Sequence, residues 1–206
     1  MKRRVSHPIF SAVYRHLMAP SERTWLGPCR ASLLPGLGGE ILEIGAGEGA
    51  NVPHYRDATR VTLLEPDAKM RKRLEKQVLR ASVPTTVLDA PAEALPFDDA
   101  SFDVVVSTLV LCSVFDPAVT LAEVRRVLRP RGKLAFIEHV RKSDDEGRWQ
   151  DRARPVWSFF MGGCQLNRDS VDAIERAGFV IERLEALRPR EMPGIMLPIM
   201  VGLAAR

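Results

Sequence analysis

The sequence predicts an α/β protein with a mostly parallel, seven-stranded sheet and helices on both of its faces. Strand and helix patterns alternate along the chain, and the first strand runs into a glycine-rich turn, as is typical of this class. The 206 residues are 46% hydrophobic and 27% charged, which suits one globular domain. We expect a helical cap segment at 1–30 ahead of the main domain at 31–206.

Apolar spacing defines the elements of the first half. Residues 8–18 place apolar side chains on one helical face, which we expect to cover an edge of the core or a ligand. Peripheral contact with a membrane surface is the alternative for this helix. Strands follow at 40–46 and 60–66, the second of them stopped by a proline. A helix at 67–82 with an aspartate N-cap leads to the third strand at 85–90.

The second half continues the alternation. The fourth strand lies within 102–112, where a near-continuous apolar run suits a strand buried on both faces. A helix at 116–128 begins with an aspartate N-cap and a proline at its first position, and 133–140 is the fifth strand. The remaining predicted elements are helices at 148–160 and 168–179 and strands near 180–186 and 197–204.

Composition excludes several kinds of protein. The three cysteines are few, odd in number and widely spaced, so we predict no disulfide framework, no metal site and a metal-free mechanism in a reducing cytoplasm. The net charge of +4 comes largely from runs at 69–76 and 126–133, which lack interleaved aromatics. We therefore predict solvated helix faces and no nucleic-acid partner. No apolar run approaches the roughly 20 residues of a membrane span, so no transmembrane segment is expected.

Ligand sites in parallel sheets lie at the carboxyl ends of the strands. The first such end carries ILEIGAGEGAN (41–51) with Gly45, Gly47 and Gly49, and the second carries Glu65. Glycines permit a tight turn and close approach of a ligand, a helix beginning after them offers free N–H groups, and an acid at this distance can hold a ribose. The loop fits both the G-x-G-x-x-[G/A] pattern of NAD enzymes and the E-x-G-x-G-x-G pattern of enzymes that use S-adenosylmethionine (SAM). Alone, it leaves both open.

Three separated motifs resemble those of class I SAM-dependent methyltransferases: ILEIGAGEGAN, AEALPFDDASFDVVV (92–106) and LAEVRRVLRPRGKLAFIEH (121–139). The resemblance covers about residues 40–140 and implies the Rossmann-like class I fold, SAM as cofactor and S-adenosylhomocysteine as product. In that family the glycine loop holds the methionine moiety, the next acid holds the ribose, and the loop after the third strand frames the adenine. The cofactor contacts implied for this chain are Glu43, Gly45, Ala46, Gly47, Gly49, Asn51, Glu65, Pro66, Ala92, Glu93, Thr108 and Leu109.

A narrower likeness is found in STLVLCSV (107–114), IEHVR (137–141) and GCQLNRDS (163–170). These segments resemble the branch that contains the mammalian microsomal alkyl-thiol methyltransferases, and they extend the likeness to roughly 38–185. The resemblance implies a small, apolar acceptor with thiols favoured. The mammalian members carry an N-terminal hydrophobic anchor that this sequence does not show, so their localisation is not expected here. Pro91 stands where many relatives have an aspartate toward the adenine, which puts side-chain recognition of the base in doubt.

The acceptor side has fewer candidates. His139 lies at the end of the fifth strand and is the predicted catalytic and acceptor-contacting residue, because an imidazole can take a proton near neutral pH. The structural alternative is a histidine that caps the strand end, and Glu138 either orients this histidine or faces solvent. Trp157 belongs to an aromatic helix face, with Phe160 and Met161 beyond it, that either forms an acceptor lid or packs in the core. The other predicted acceptor contacts are Tyr14, Cys112, Trp157 and Cys164.

The sequence leaves three functions to compare. The first is methyl transfer from SAM to a small, apolar thiol. The second keeps SAM but uses an oxygen or carbon acceptor, such as a quinone-like ring, a phenol or a lipid. The third is a non-catalytic SAM-binding protein. Hydride transfer is disfavoured, because 206 residues leave little room for a second mononucleotide half and a substrate domain.

Overall fold

A computed structural model describes residues 8–142, 144–190 and 198–206. Its strands are β1 (Gly39–Ile44), β2 (Ala58–Leu64), β3 (Thr85–Leu88), β4 (Phe102–Thr108), β5 (Leu128–His139), β6 (Val180–Leu187) and β7 (Ile199–Ala205). They form one sheet in the order β3-β2-β1-β4-β5-β7-β6. Neighbours among β1 to β5 are parallel, whereas β7 runs antiparallel to both β5 and β6. The predicted seven-stranded, mostly parallel sheet is confirmed.

Helices cover both faces of this sheet. They are α1 (Pro8–Ser21), α2 (Gly27–Leu33), α3 (Ala68–Val78), α4 (Pro117–Val127), α5 (Asp144–Phe160) and α6 (Ser170–Arg176), with a π-helical turn at Glu22–Leu26 and a 3₁₀ turn at Val52–His54. Successive residues of β1 point to opposite faces, as strand geometry requires. Ile41 belongs to one hydrophobic cluster with Leu33 of α2 and Leu74 of α3, and Leu42 belongs to another with Leu121 of α4. The two clusters sandwich the sheet.

Two local predictions are wrong, and one is confirmed. The glycine loop does not lead into a helix, since turns and one 3₁₀ turn connect it to β2 at Ala58. The fourth strand lies within the predicted range and ends at Thr108, since Leu109 adopts a φ of +56° that breaks the extended backbone. The fifth strand begins at Leu128, earlier than predicted, where Phe102 of β4 pairs with it.

The N-terminal helices extend further than predicted. The helical path continues from α1 through the π-helical turn into α2, which ends at Leu33 and so crosses the predicted boundary between 1–30 and 31–206. Trp25 and Leu26 are buried in the same cluster as Ile41 of β1. The division into cap and domain stays a prediction, but this segment is anchored in the core.

The aromatic face of α5 turns away from the core. Trp149, Val156 and Phe160 are exposed, while Trp157 is half-buried. Since Phe160 is 61% exposed, it does not pack as a core residue. Of the predicted aromatic stripe, Trp157 is the member that turns inward.

A side-chain cap starts α4. Asp116 accepts hydrogen bonds from the backbone N–H of Ala118 at 2.9 Å and of Val119 at 3.3 Å. We predict that Asp116→Ala lowers the free energy of unfolding by about 1 kcal/mol, because two helix-end donors lose their acceptor. Asp116→Asn keeps an acceptor oxygen and should retain most of the stability. Urea denaturation of the three proteins measures the difference, and an alanine variant as stable as the wild type would contradict the prediction.

Candidate active site

The glycine loop at the end of β1 is shaped by close packing on two sides and is open on the third. A Cβ at Gly45 would lie 2.7 Å from a methyl of Val110, and one at Gly49 would lie 2.8 Å from a methyl of Leu74. At Gly47, with a φ of +58°, the nearest atom would be the Tyr14 hydroxyl, 3.8 Å away. Gly45 and Gly49 are therefore required by the protein's own packing, whereas Gly47 borders free space between the loop and α1.

Glu65 joins the end of β2 to this loop. Its carboxylate accepts the backbone N–H of Gly47 at 2.8 Å and that of Asp67 at 2.7 Å. The side chain is buried, and burial raises the pKa of Glu65 to about 7, against the hydrogen bonds that favour the charged form. The predicted ribose-binding acid thus lies directly beside the predicted methionine-binding loop.

This pKa implies that cofactor affinity depends on pH. In the free protein Glu65 holds a proton below about pH 7, but ribose hydroxyls donate to the ionised carboxylate. We predict that SAM affinity falls as the pH drops below 7, by up to about tenfold per unit. In Glu65→Gln this group no longer titrates. The ratio of its dissociation constant to that of the wild type should be largest at pH 8 and shrink toward pH 6, as calorimetry can measure. A ratio that does not change with pH would contradict a contact between Glu65 and SAM.

A buried polar network lies beneath the loop. Asn51 donates to Glu43 at 2.8 Å and to Thr108 at 3.2 Å, and Tyr55 donates to the other oxygen of Glu43 at 2.7 Å. Arg30 donates to the Asn51 carbonyl oxygen. Burial raises the pKa of Glu43 to about 7, although these donors oppose the shift. The network holds the side chains of Glu43 and Asn51 in place, and their contact with a cofactor stays a prediction.

Arg30 and Tyr55 are residues that sequence reasoning missed. Neither lies in a recognised motif. The signal that could have found Arg30 is an arginine at an inward position of an amphipathic helix, since a buried cation requires partners. It also donates to Glu22 at 3.0 Å, which ties α2 back to the preceding turn.

The predicted adenine side is built from the loops after β3 and β4. Ala92 is buried, and Glu93 accepts the backbone N–H of Phe115 at 2.6 Å. Leu109 donates its backbone N–H to Ile137 at 2.8 Å while holding its positive φ. A leucine in this conformation is strained, and such strain is concentrated at functional sites. Pro66, half-buried, follows Glu65 at the end of β2.

Glu138 does not act as sequence reasoning expected. It neither faces solvent nor points at His139, because successive residues of a strand point in opposite directions. One carboxylate oxygen accepts from the Ser107 hydroxyl at 2.7 Å and from the backbone N–H of Val110 at 2.9 Å and Leu111 at 3.1 Å. Glu138 therefore holds the turn that follows β4 against the end of β5.

His139, Cys112 and Cys164 come together at the carboxyl ends of β4 and β5. The Sγ of Cys164 lies 3.5 Å from Nε2 of His139, and the two sulfurs and this imidazole lie within 4.8 Å of one another. Cys112 and His139 are buried, and Cys164 is half-buried. Sequence spacing did not reveal this cluster, because folding joins three residues that are far apart in the chain, and the absence of a metal stays a prediction.

The electrostatics of this cluster favour an ion pair. The Cys164 thiol donates to Cys112, and with the nearby imidazolium this holds the pKa of Cys112 well below its usual range. Burial lowers the pKa of His139, but the Cys112 thiolate outweighs burial and raises it to about 9. The pKa of Cys164 is raised, first by its hydrogen bond to Cys112 and then by burial. These shifts favour transfer of the Cys112 proton to His139, with Cys164 as a neutral thiol beside them.

The two remaining acceptor candidates lie in different places. The buried indole N–H of Trp157 of α5 lies close enough to the Cys164 sulfur to lower the pKa of that thiol. Tyr14 lies on α1 against Gly47, at the glycine loop. Burial raises the pKa of Tyr14 to about 12, so its hydroxyl stays neutral. The structure thus brings Trp157 to the cysteine cluster and Tyr14 to the cofactor end.

Comparison with known proteins decides the family. Residues 42–136 match the sequence profile of the family described as "Methyltransferase domain". Thiol S-methyltransferase TMT1A of Homo sapiens is 33% identical over 202 residues, which span 96% of this chain and 83% of that protein. The chain belongs to the SAM-dependent methyltransferase family. Thiol S-methyltransferase TMT1B of Homo sapiens is 40% identical over 163 residues, 76% of this chain and 67% of that protein.

A solved structure supports the same assignment for this methyltransferase. A SAM-dependent methyltransferase of Thermotoga maritima superposes with a TM-score of 0.68 at 25% identity, covering 96% of this chain and 98% of that one. The predicted fold, enzyme class and cofactor are confirmed, and the hydride-transfer alternative is excluded. Within the described part of the chain, no helix has the length and apolar character needed to cross a membrane.

The residues present fit SAM. The open space beside Gly47 accepts a ligand that would be excluded by any side chain there, and Glu65 presents a carboxylate next to it. Backbone amides around a turn of this kind bind a carboxylate. The individual cofactor contacts stay predictions for the methyltransferase.

Proposed function

We propose that this methyltransferase transfers the methyl group of SAM to the sulfur of a small thiol. The observation that carries the proposal is the buried His139 imidazole beside two sulfurs at the carboxyl ends of β4 and β5. The pKa of His139 is raised to about 9, and a positive charge in a buried pocket favours ionisation of an acceptor thiol. The names of the relatives TMT1A and TMT1B add support, because both are thiol S-methyltransferases.

Each group in the site has a proposed task. SAM supplies a methyl group that its sulfonium has already activated. The turn from Gly45 to Gly49 would bind the methionine end of SAM and Glu65 would hold its ribose, while the ends of β4 and β5 would receive the acceptor. His139 promotes loss of the acceptor's proton, which needs only modest help because a free thiol has a pKa of about 8.5. Trp157, Cys112 and Cys164 form the acceptor wall and exclude water, which helps an in-line displacement.

The acceptor is proposed to be a free small molecule in the cytoplasm, without nucleic acid. All three cysteines are free, which suits a reducing compartment. The two basic runs are partly neutralised within the fold, since Arg71 pairs with Asp89 at 3.1 Å and Arg126 pairs with Glu123 at 2.7 Å.

The test is transfer of label from methyl-labelled SAM to a panel of alkyl thiols, phenols and quinols. We expect thioether products from the thiols and no product from the others. Phenol or quinol products would replace the thiol with an oxygen or carbon acceptor. SAM binding without transfer to any acceptor would favour the non-catalytic alternative. Each thiol is run beside its S-methylated form, which has no free acceptor and sets the background.

A further inference from the structure

We propose that Cys112, His139 and Cys164 bind a zinc ion whose fourth position is open to the acceptor thiol. The three-ligand site is independent of the reaction, whereas the role of the fourth position rests on the proposed thiol methylation. The proposal deepens the task given to His139, because a histidine that holds zinc promotes ionisation of the acceptor through the metal.

The spacing of the three side chains suits zinc. With Zn–S near 2.3 Å and Zn–N near 2.0–2.1 Å, tetrahedral angles place S and N about 3.6 Å apart. The observed distance from Cys164 Sγ to His139 Nε2 is 3.5 Å. All three ligand atoms lie within 4.8 Å of one another, and tetrahedral zinc needs the two sulfurs at about 3.8 Å. Side-chain rotations that move the ligand atoms by an ångström or less would bring them to these distances.

The three ligands come from different elements, and backbone hydrogen bonds hold these elements together. His139 ends β5, and Cys112 lies in the turn that Glu138 anchors after β4. The turn that carries Cys164 is fastened to the same place, because Gln165 donates its backbone N–H to the Cys112 carbonyl at 2.8 Å. The His139 ring also hydrogen-bonds to the Gln165 backbone. A second hydrogen bond of this kind is what orients metal-binding histidines in proteins.

The donor set selects for a soft or borderline cation. Two sulfurs and one imidazole suit zinc, whereas calcium and magnesium require oxygen ligands. The carboxylate next to His139 in the chain, Glu138, holds the β4 turn through three hydrogen bonds to one of its oxygens. Arg168 interacts electrostatically with both cysteine sulfurs and lies beside the cluster, where it donates to the Leu111 carbonyl at 2.8 Å. Two cysteine thiolates and the acceptor thiolate around Zn²⁺ leave a net charge of −1. The positive charge of Arg168 offsets it.

Three protein ligands and one open position are typical of catalytic zinc sites, and four protein ligands of structural ones. On binding, the acceptor RSH releases its proton to solvent and RS⁻ occupies the open position. A lone pair of that sulfur then attacks the methyl carbon, and the bond from the carbon to the SAM sulfur breaks. The electron pair of the broken bond stays on that sulfur, which becomes neutral, and zinc keeps its oxidation state throughout. The thioether is a poorer ligand than the thiolate, so the product leaves.

The experiment measures metal on the full chain, purified under a phosphine reductant and without chelators. After loading with Zn²⁺ and desalting, we expect about one zinc per chain by mass spectrometry. Cobalt in place of zinc should give the thiolate charge-transfer absorption of a Cys₂His site. Cys112→Ser and Cys164→Ser should weaken zinc binding by at least about tenfold. Cys29→Ser, a buried cysteine on α2 outside the cluster, is the matched control and should bind zinc like the wild type.

Two results would overturn the site: a wild-type chain that retains no metal, or cluster variants that bind zinc as tightly as Cys29→Ser. If a serine variant fails to fold, the cobalt spectrum of the wild type still decides, because its intensity counts the bound thiolates. An alkyl thiol should change that spectrum, and removal of zinc should lower thiol methylation without changing SAM affinity. Zinc-free protein that methylates thiols at the full rate would overturn the metal role and leave the proposed function standing. Zinc binding without thiol methylation would contradict the proposed function and leave the zinc site standing.

Discussion

Gly47→Val is expected to weaken SAM binding by at least roughly 100-fold, or about 2.7 kcal/mol. The space beside Gly47 is open in the structure, and the nearest atom to an added Cβ is the Tyr14 hydroxyl at 3.8 Å. A valine there would therefore occupy the volume that the cofactor needs, and it would do so next to the hydrogen bond from Gly47 to Glu65. Calorimetric titration with SAM and with S-adenosylhomocysteine measures the loss.

The substitution also strains the backbone, since a β-branched residue tolerates a φ of +58° poorly. Gly36→Val separates this effect from loss of the cofactor site. Gly36 has a φ of +84° and open space around it, and it lies before β1, outside the glycine loop. Both variants should lose similar stability, of the order of 1–3 kcal/mol, in urea denaturation. Unchanged SAM affinity in Gly47→Val, or an equal loss in Gly36→Val, would contradict the placement of the cofactor.

Much of the cofactor half of the site could be predicted because its information is local. The glycine loop and Glu65 each follow a buried strand with a clear apolar pattern, and parallel strands bring such ends to one edge. The hydrogen bond between Gly47 and Glu65 is the physical result of that arrangement. The prediction of a helix after the loop was wrong, because the apolar pattern of the sequence does not show where β2 begins.

The acceptor half of the site was harder to predict, because it depends on contacts between residues that are far apart in the chain. Cys164 follows α5, and its return to Cys112 involves long-range contacts, such as the backbone hydrogen bond from Gln165, that no periodicity reveals. The opposite directions of Glu138 and His139 could have been predicted, since strand alternation separates neighbouring side chains. The outward aromatic face of α5 could not, because an apolar stripe predicts burial and does not say what covers it.

The position of His139 explains why its replacement is expected to lower turnover strongly. It is 3% exposed, and it faces both sulfurs of the cluster while its neighbour Glu138 braces the other side of the strand. In this arrangement His139 contributes the imidazole of the cluster, while one oxygen of Glu138 is hydrogen-bonded into the turn after β4. Whether it acts directly or through a metal, the proposed task of His139 is to favour the thiolate form of the acceptor.

His139→Ala is accordingly expected to lower turnover of alkyl thiols by roughly 10²–10⁴-fold while SAM affinity stays within about twofold. The loss should depend on the acceptor: large for thiols of high pKa, and small for aromatic thiols that are already ionised at neutral pH. Raising the pH should restore part of the activity toward alkyl thiols, because solvent then removes the proton. Steady-state rates across a series of thiols of increasing pKa provide the measurement. His54→Ala, in the 3₁₀ turn after the glycine loop, is the matched histidine control. A purely structural His139 would lower the rates of all thiols by the same factor, and that result would remove it from the chemistry.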